Sequence, residues 1–113
     1  MKTLSLAIFF IIFFLNIGNT QNADVIKTSF KVSGNCEMCK TTIEKAAKSL
    51  DGVKMARWNP ETKKLKVKFI EGTTDLDEIQ KAIAAIGYDT EKYKADDEVY
   101  NALHHCCQYE RDL

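Results

Sequence analysis

Excess charge is the first thing this chain lacks. Its 16 basic and 16 acidic side chains cancel, and its pI lies near 6.7, a balance that excludes a general electrostatic grip on nucleic acid. Proline is nearly absent, with Pro60 alone, so no second proline is available for a cis bond beside a redox dithiol. At 113 residues the chain is too short for most multi-step enzymes with separate cofactor and substrate lobes. Signatures of common chemistries are missing too. There is no Ser-His-Asp set, no phosphate-binding glycine loop and no defensible carboxylate pair. The acidic residues sit on helix faces and in turns, where solvation accounts for them. The expectation is a protein that is not an enzyme. No internal repeat or low-complexity linker is evident. With 45% apolar and 28% charged residues, however, the chain is not wholly disordered.

Long apolar runs are also absent. The longest, Leu4 to Leu15, is apolar except at Ser5. Its 12 residues cover about 18 Å as a helix, well short of a hydrocarbon core of about 30 Å. Lys2 precedes the run, and small or polar residues dominate Asn16 to Thr20. The pattern fits a signal peptide over residues 1–20, with Gly18 and Thr20 at the −3 and −1 positions and Gln21 as the new N-terminus. An uncleaved anchor is the alternative. Cleavage would leave 93 residues, 15 basic against 16 acidic side chains, and all four cysteines. The expected location is secreted, in a periplasm where disulfides persist, with no membrane association once the leader is gone.

Periodicity then organises the remainder. Ile26, Thr28, Phe30 and Val32 alternate with polar neighbours, as a half-buried strand does. A helix is expected from about Cys39 to Leu50, with Ile43, Ala46, Ala47 and Leu50 on one face and Glu44–Lys48 paired outside. Asp51-Gly52 stops it. Val53 to Trp58 reads as a second strand, Asn59-Pro60-Glu61-Thr62 as a turn, and Leu65, Val67 and Phe69 as the inner face of a third strand. Lys64, Lys66 and Lys68 form its wet face. Thr74 and Asp75 cap a second helix with the stripe Leu76, Ile79, Ile83 and Ile86, ended by Gly87. Tyr88 to Lys94 is expected as a fourth strand, though its alternation is weak. The order βαββαβ predicts an α+β, ferredoxin-like sandwich over residues 21–94, two helices on a four-stranded antiparallel sheet. Residues 95–113 form a tail, with Asp96 capping a short helix that carries Val99, Tyr100 and Leu103.

What the chain does have is cysteine, in two pairs. Cys36 and Cys39 stand where a loop meets a helix. Backbone N–H groups and the helix dipole direct positive charge at that end and favour thiolate, and Lys40 adds a cation. Two thiolates so spaced converge on one soft ion. Structural zinc takes four ligands, so two sulfurs leave it under-coordinated, whereas Cu(I) and Hg(II) suit such a site better. Two other uses remain open. One is a plain disulfide; the other is thiol–disulfide exchange, because C-x-x-C is shared with thioredoxin-like proteins. The element order and the lack of a candidate cis-proline stand against exchange.

The strand, the Gly34-Asn35-Cys36-Glu37-Met38-Cys39 loop and the helix, followed by Leu50-Asp51-Gly52-Val53 and by Ile86-Gly87-Tyr88, resemble the heavy-metal-associated domain family. That family includes copper chaperones, the N-terminal domains of copper-transporting ATPases and the periplasmic mercury-binding protein. The resemblance covers roughly residues 25–94 and implies the same βαββαβ fold. It further implies binding of Cu(I), Hg(II), or in some members Zn(II) or Cd(II), by two loop cysteines, here Cys36 and Cys39. The partner it implies is a metal-transporting ATPase or another cysteine-bearing acceptor. Gly87-Tyr88 matches a Gly-aromatic step beside the metal loop. Eukaryotic cytosolic copper chaperones usually carry Lys there, whereas ATPase and mercury-binding domains carry an aromatic. One feature departs from the family pattern, whose loop usually reads G-M-x-C-x-x-C. Here the segment before Cys36 is one residue shorter, and the nearest Met is Met38, between the cysteines. Met38 either packs under the loop or sets its thioether near the metal; packing is the commoner use of Met.

The second pair lies in the run His104-His105-Cys106-Cys107. Adjacent cysteines rarely close on each other, because the small ring strains the disulfide. Four soft or borderline donors in a row suggest an auxiliary metal site, which would complete the shell of the loop cysteines or load a second ion. The plain alternative is cysteines that pair between chains or with Cys36 or Cys39. Together these readings predict a soft-metal-binding protein that captures Cu(I) through Cys36 and Cys39 and passes it on by ligand exchange. Hg(II) detoxification through the same cysteines is the alternative.

Overall fold

Alternation builds the sheet. The computed structural model describes residues 24–111; the expected signal peptide, residues 1–20, lies outside the described residues. Strands β1 (Val25–Lys31), β2 (Val53–Trp58) and β3 (Lys64–Ile70) form an antiparallel sheet in the order β1-β3-β2. Phe30 faces Leu65 in one ladder, and Trp58 faces the same Leu65 in the other. Side chains at every second position therefore reach one face: Phe30, Ala56, Trp58, Leu65, Val67 and Phe69 are buried, while Lys64 and Lys66 stay exposed. The turn between β2 and β3 is closed by Asn59, whose Oδ1 accepts from the Glu61 and Thr62 amides.

Helices α1 (Glu37–Lys48) and α2 (Leu76–Ala85) cover that face, α1 lying on β2 and beside α2. Ile43 and Ala47 from α1 and Ile79 and Ile83 from α2 close the core. Asp75 caps α2, its side chain accepting from the Glu78 amide. The expected Glu44–Lys48 pair is replaced by a different one. Glu44 turns to Lys40 at 2.9 Å and accepts the Trp58 amide at 2.9 Å, which ties α1 to β2.

Tyr88 to Lys94 does not form the expected fourth strand, so the sheet of the described residues has three. Only a single antiparallel bridge, Val32 to Thr90, joins the segment to the end of β1. The physical cause is competition for its backbone. Thr90 and Tyr93 fold into a local turn, the Thr90 amide donating to Tyr93 O and the Tyr93 amide to Thr90 Oγ1. The Asp89 amide donates to the Tyr109 hydroxyl, which in turn donates to Gly87 O. A tail side chain thus takes the backbone groups that a β-ladder would have used.

The tail begins with the short helix α3 (Asp97–Asn101) and continues through a 3₁₀ turn at His105–Cys107. Asp96 sits at the α3 N-cap, but its side chain makes no capping bond there. Leu103 seats on Gly87, whose φ is +110° and whose added Cβ would lie 3.0 Å from Leu103 Cδ2. Both features bar a side chain at this corner. Gly87→Ala is expected to cost about 2 kcal/mol, through backbone strain and displacement of Leu103. Urea denaturation would detect this; an unchanged midpoint would mean that the corner relaxes freely.

Candidate metal centre

The loop between β1 and α1 is pinned from beneath. Trp58 Nε1 donates to Val32 O at 3.0 Å, and Lys63 Nζ donates to Gly34 O at 2.6 Å while its cation lies 5.5 Å from the Trp58 ring centroid. Gly34 lies flat on that ring: an added Cβ would be 3.0 Å from two Trp58 ring atoms and 3.3 Å from Cys39 Cβ. Trp58 therefore fills the space under the loop that Met38 was expected to fill. Met38 instead is 48% exposed, with its Sδ 3.9 Å from Cys106 Sγ.

Helix α1 starts two residues earlier than the spacing suggested, and the difference matters for the thiols. Cys36 becomes the N-cap residue and Cys39 lies in the first turn. The Cys39 amide holds the Cys36 thiol below its ordinary range against an opposing effect of burial, assisted by the Cys39 thiol, the Met38 amide and Cys106. The two sulfurs are 3.7 Å apart, Cys36 half-buried and Cys39 fully buried.

The tail cysteines come to this same point. Asn35 Nδ2 donates to Cys106 O at 3.3 Å, which brings the 3₁₀ turn against the loop. Cys106 and Cys107 sulfurs are 3.9 Å apart, and those of Cys36, Cys106 and Cys107 all lie within 4.8 Å of one another. Cys106 is exposed, Cys107 is buried, and all four cysteines are thiols. Burial, followed by its contact with Cys39, pushes the Cys107 thiol up to about 12. Tyr88 is buried beside this cluster; burial, then its contacts with the Cys107 and Cys39 thiols, raises its hydroxyl above the ordinary tyrosine range. His104 and His105 are exposed and do not join the sulfurs.

Tyr109, Arg111 and Asp89, which sequence reasoning left unused, dock the tail. Tyr109 stacks on Tyr88 with centroids 5.8 Å apart and meets Tyr100 edge-on at 5.0 Å. Its backbone carbonyl accepts from the Tyr100 hydroxyl. Arg111 donates to both carboxylate oxygens of the fully buried Asp89, at 3.0 and 2.8 Å. A signal for this was present in the chain. Cys107, Tyr109 and Arg111 alternate with Gln108 and Glu110, the period of an extended segment with one inward face.

The donor set suits a soft cation. The group is all sulfur, it lies at the positive end of a helix, and no carboxylate belongs to it. Comparison with known proteins places the same region. The heavy-metal-associated domain model matches residues 29–89. Copper-transporting ATPase 2 of Rhizobium meliloti (strain 1021) is 39% identical over 59 residues, which are 52% of this chain and 7% of the ATPase. The chain thus corresponds to a small part of that relative's length. Among solved structures, CopZ metallochaperone is 29% identical with a TM-score of 0.56, covering 57% of this chain and 98% of its own. Oxidized MerP from Ralstonia metallidurans CH34 is 28% identical with a TM-score of 0.57, covering 60% of this chain and 96% of its own. The matched segment of the domain model ends before the tail cysteines.

Proposed function

The chain belongs to the heavy-metal-associated domain family, and from that premise we propose that it is a soft-metal carrier that captures Cu(I) through Cys36 and Cys39 and surrenders it by ligand exchange. The observation that carries this reading is two thiols 3.7 Å apart at the start of α1, with Cys36 held toward its thiolate. Each thiol that binds releases its proton to water, and the sulfur recovers one when the ion leaves. An acceptor's thiolate replaces one sulfur at a time, so the ion never crosses through an unligated state. The likeness to copper carriers supports Cu(I) as cargo, and the apolar run over residues 4–15 supports export to a periplasm. A cysteine-bearing acceptor, such as the metal-binding domain of a transporting ATPase, is the partner this chemistry needs. Hg(II) is the second reading, because the same two thiols suit it and the aromatic Tyr88 is the residue that ATPase and mercury-binding domains share at this step.

The test is transfer. The chain loaded with one equivalent of Cu(I) is mixed with a C-x-x-C acceptor domain, and the metal on each partner is counted after rapid separation. Partition between the two within seconds is the expected result. Retention on the chain for hours would make it a store rather than a carrier, and displacement of Cu(I) by equimolar Hg(II) with no transfer of copper would reassign the cargo.

A further inference from the structure

Two observations stand outside the capture scheme: a second pair of thiols reaches the loop site, and a set of contacts unrelated to those thiols holds it there. We infer that the tail supplies ligands to the same ion, so that Cys36, Cys106 and Cys107 form one three-thiolate centre with Cys39 as the adjoining fourth sulfur. This inference rests on the capture reading above and extends it to residues beyond the matched domain segment.

Distances argue for a shared ion. Metal–sulfur bonds of about 2.3 Å place two sulfurs about 4.6 Å apart across a linear ion, about 4.0 Å apart in a trigonal site and about 3.8 Å apart in a tetrahedral one. The Cys36–Cys39 and Cys106–Cys107 separations are 3.7 and 3.9 Å. Both lie near the edges of a site with three or four sulfurs. The three sulfurs of Cys36, Cys106 and Cys107 lie within 4.8 Å of one another, so one ion can draw them in with small rotations of side chains.

Exposure divides each pair in the same way. Cys36 and Cys106 are the outer sulfurs, whereas Cys39 and Cys107 are buried. An arriving ion therefore meets one loop thiol and one tail thiol first. Convergence of the cysteines does not depend on sulfur chemistry, because Asn35, Tyr109 and Arg111 hold the tail by their own hydrogen bonds. The site is thus assembled before metal arrives, which reduces the ordering cost of adding tail ligands. His104 and His105, exposed and outside the group, are not ligands in this arrangement.

X-ray absorption of the Cu(I)-loaded chain counts the sulfurs directly, and competition with a chelator gives the affinity. Wild type is expected to show at least three sulfurs per copper. Cys106→Ser, at an exposed position that leaves the core intact, is expected to drop the count by one and weaken binding at least tenfold. Cys106→Ser/Cys107→Ser should reach two sulfurs; its far-ultraviolet circular dichroism separates ligand loss from unfolding. Two sulfurs in wild type, or unchanged count and affinity in Cys106→Ser, would overturn the three-thiolate centre while leaving capture by the loop pair standing. Unchanged affinity in Cys36→Ser/Cys39→Ser would overturn the capture reading, and the shared centre with it.

Discussion

Replacing both loop cysteines, Cys36→Ser/Cys39→Ser, is expected to weaken Cu(I) binding at least a thousandfold, about 4 kcal/mol. A serine hydroxyl is a hard, neutral donor at pH 7 and a poor ligand for a soft monovalent ion. The variant also removes the thiol that the first turn of α1 favours as thiolate, so the loss includes a sulfur held below its ordinary range. Cys39 needs a control of its own. It is fully buried in the core beside Ile43 and Trp58, and a serine there places a hydroxyl in a site shaped for sulfur. That exchange costs about 1–3 kcal/mol of stability if the hydroxyl finds no partner. Thermal unfolding of the metal-free variant measures this part. Cys36→Ser alone, at a half-buried position, isolates the ligand effect. A competition titration in which the double variant stays within tenfold of wild type would remove the loop from the site.

How much of this arrangement the chain announces depends on how local each cause is. Strands β1 and β3 are legible because Phe30, Leu65, Val67 and Phe69 alternate with lysines or other polar residues, and alternation is the geometry of a strand with one buried face. Helix α2 is equally plain, since its stripe, its Asp75 cap and its Gly87 stop all lie within a few residues. The start of α1 is less so. Cys36 is not a usual N-cap residue, and neither Glu37 nor Met38 belongs to the apolar stripe, so the pattern points two residues too late. The missing fourth strand has a remote cause. The Gly87 carbonyl and the Asp89 amide are taken by the Tyr109 hydroxyl, 20 and more residues away, which no local pattern around Tyr88 reveals. For the candidate site, the C-x-x-C pair and its helix junction are visible in the chain, and the tail cysteines are visible as a cluster. Their arrival at the loop is not, because it follows from a buried carboxylate and a guanidinium 22 residues apart.

That carboxylate carries the second large effect. Asp89→Ala is expected to cost about 3 kcal/mol of stability and to lower the melting temperature by about 12 °C or more. Asp89 is fully buried and accepts from the Ala95 amide at 2.8 Å as well as from Arg111. Truncation leaves a buried N–H and a largely buried guanidinium without their acceptor. Arg111 keeps Asp97 at 2.7 Å, Ala95 O at 2.6 Å and the face of Tyr100, which holds the loss to the lower end of the range for a broken buried pair. Acid supplies an independent check. Burial alone would raise the Asp89 pKa, but the Arg111 and Ala95 donors more than offset it and hold the carboxyl below its ordinary range. A carboxyl lowered on folding stabilises the folded chain above its ordinary value, near pH 4, and that contribution disappears as pH falls through the folded value. Asp77, held at about 2 by its hydrogen bonds to Lys92 and Tyr93, also loses its charge in acid, so the difference between wild type and Asp89→Ala is what isolates Asp89. The two stability curves should converge as pH falls below about 4 and through the folded value of Asp89. All four thiols survive in this variant, so any fall in Cu(I) affinity at neutral pH reports tail docking rather than ligand chemistry. A loss under 1 kcal/mol would shift the anchoring of the tail to Tyr109 and its aromatic neighbours, with Arg111 a surface partner only.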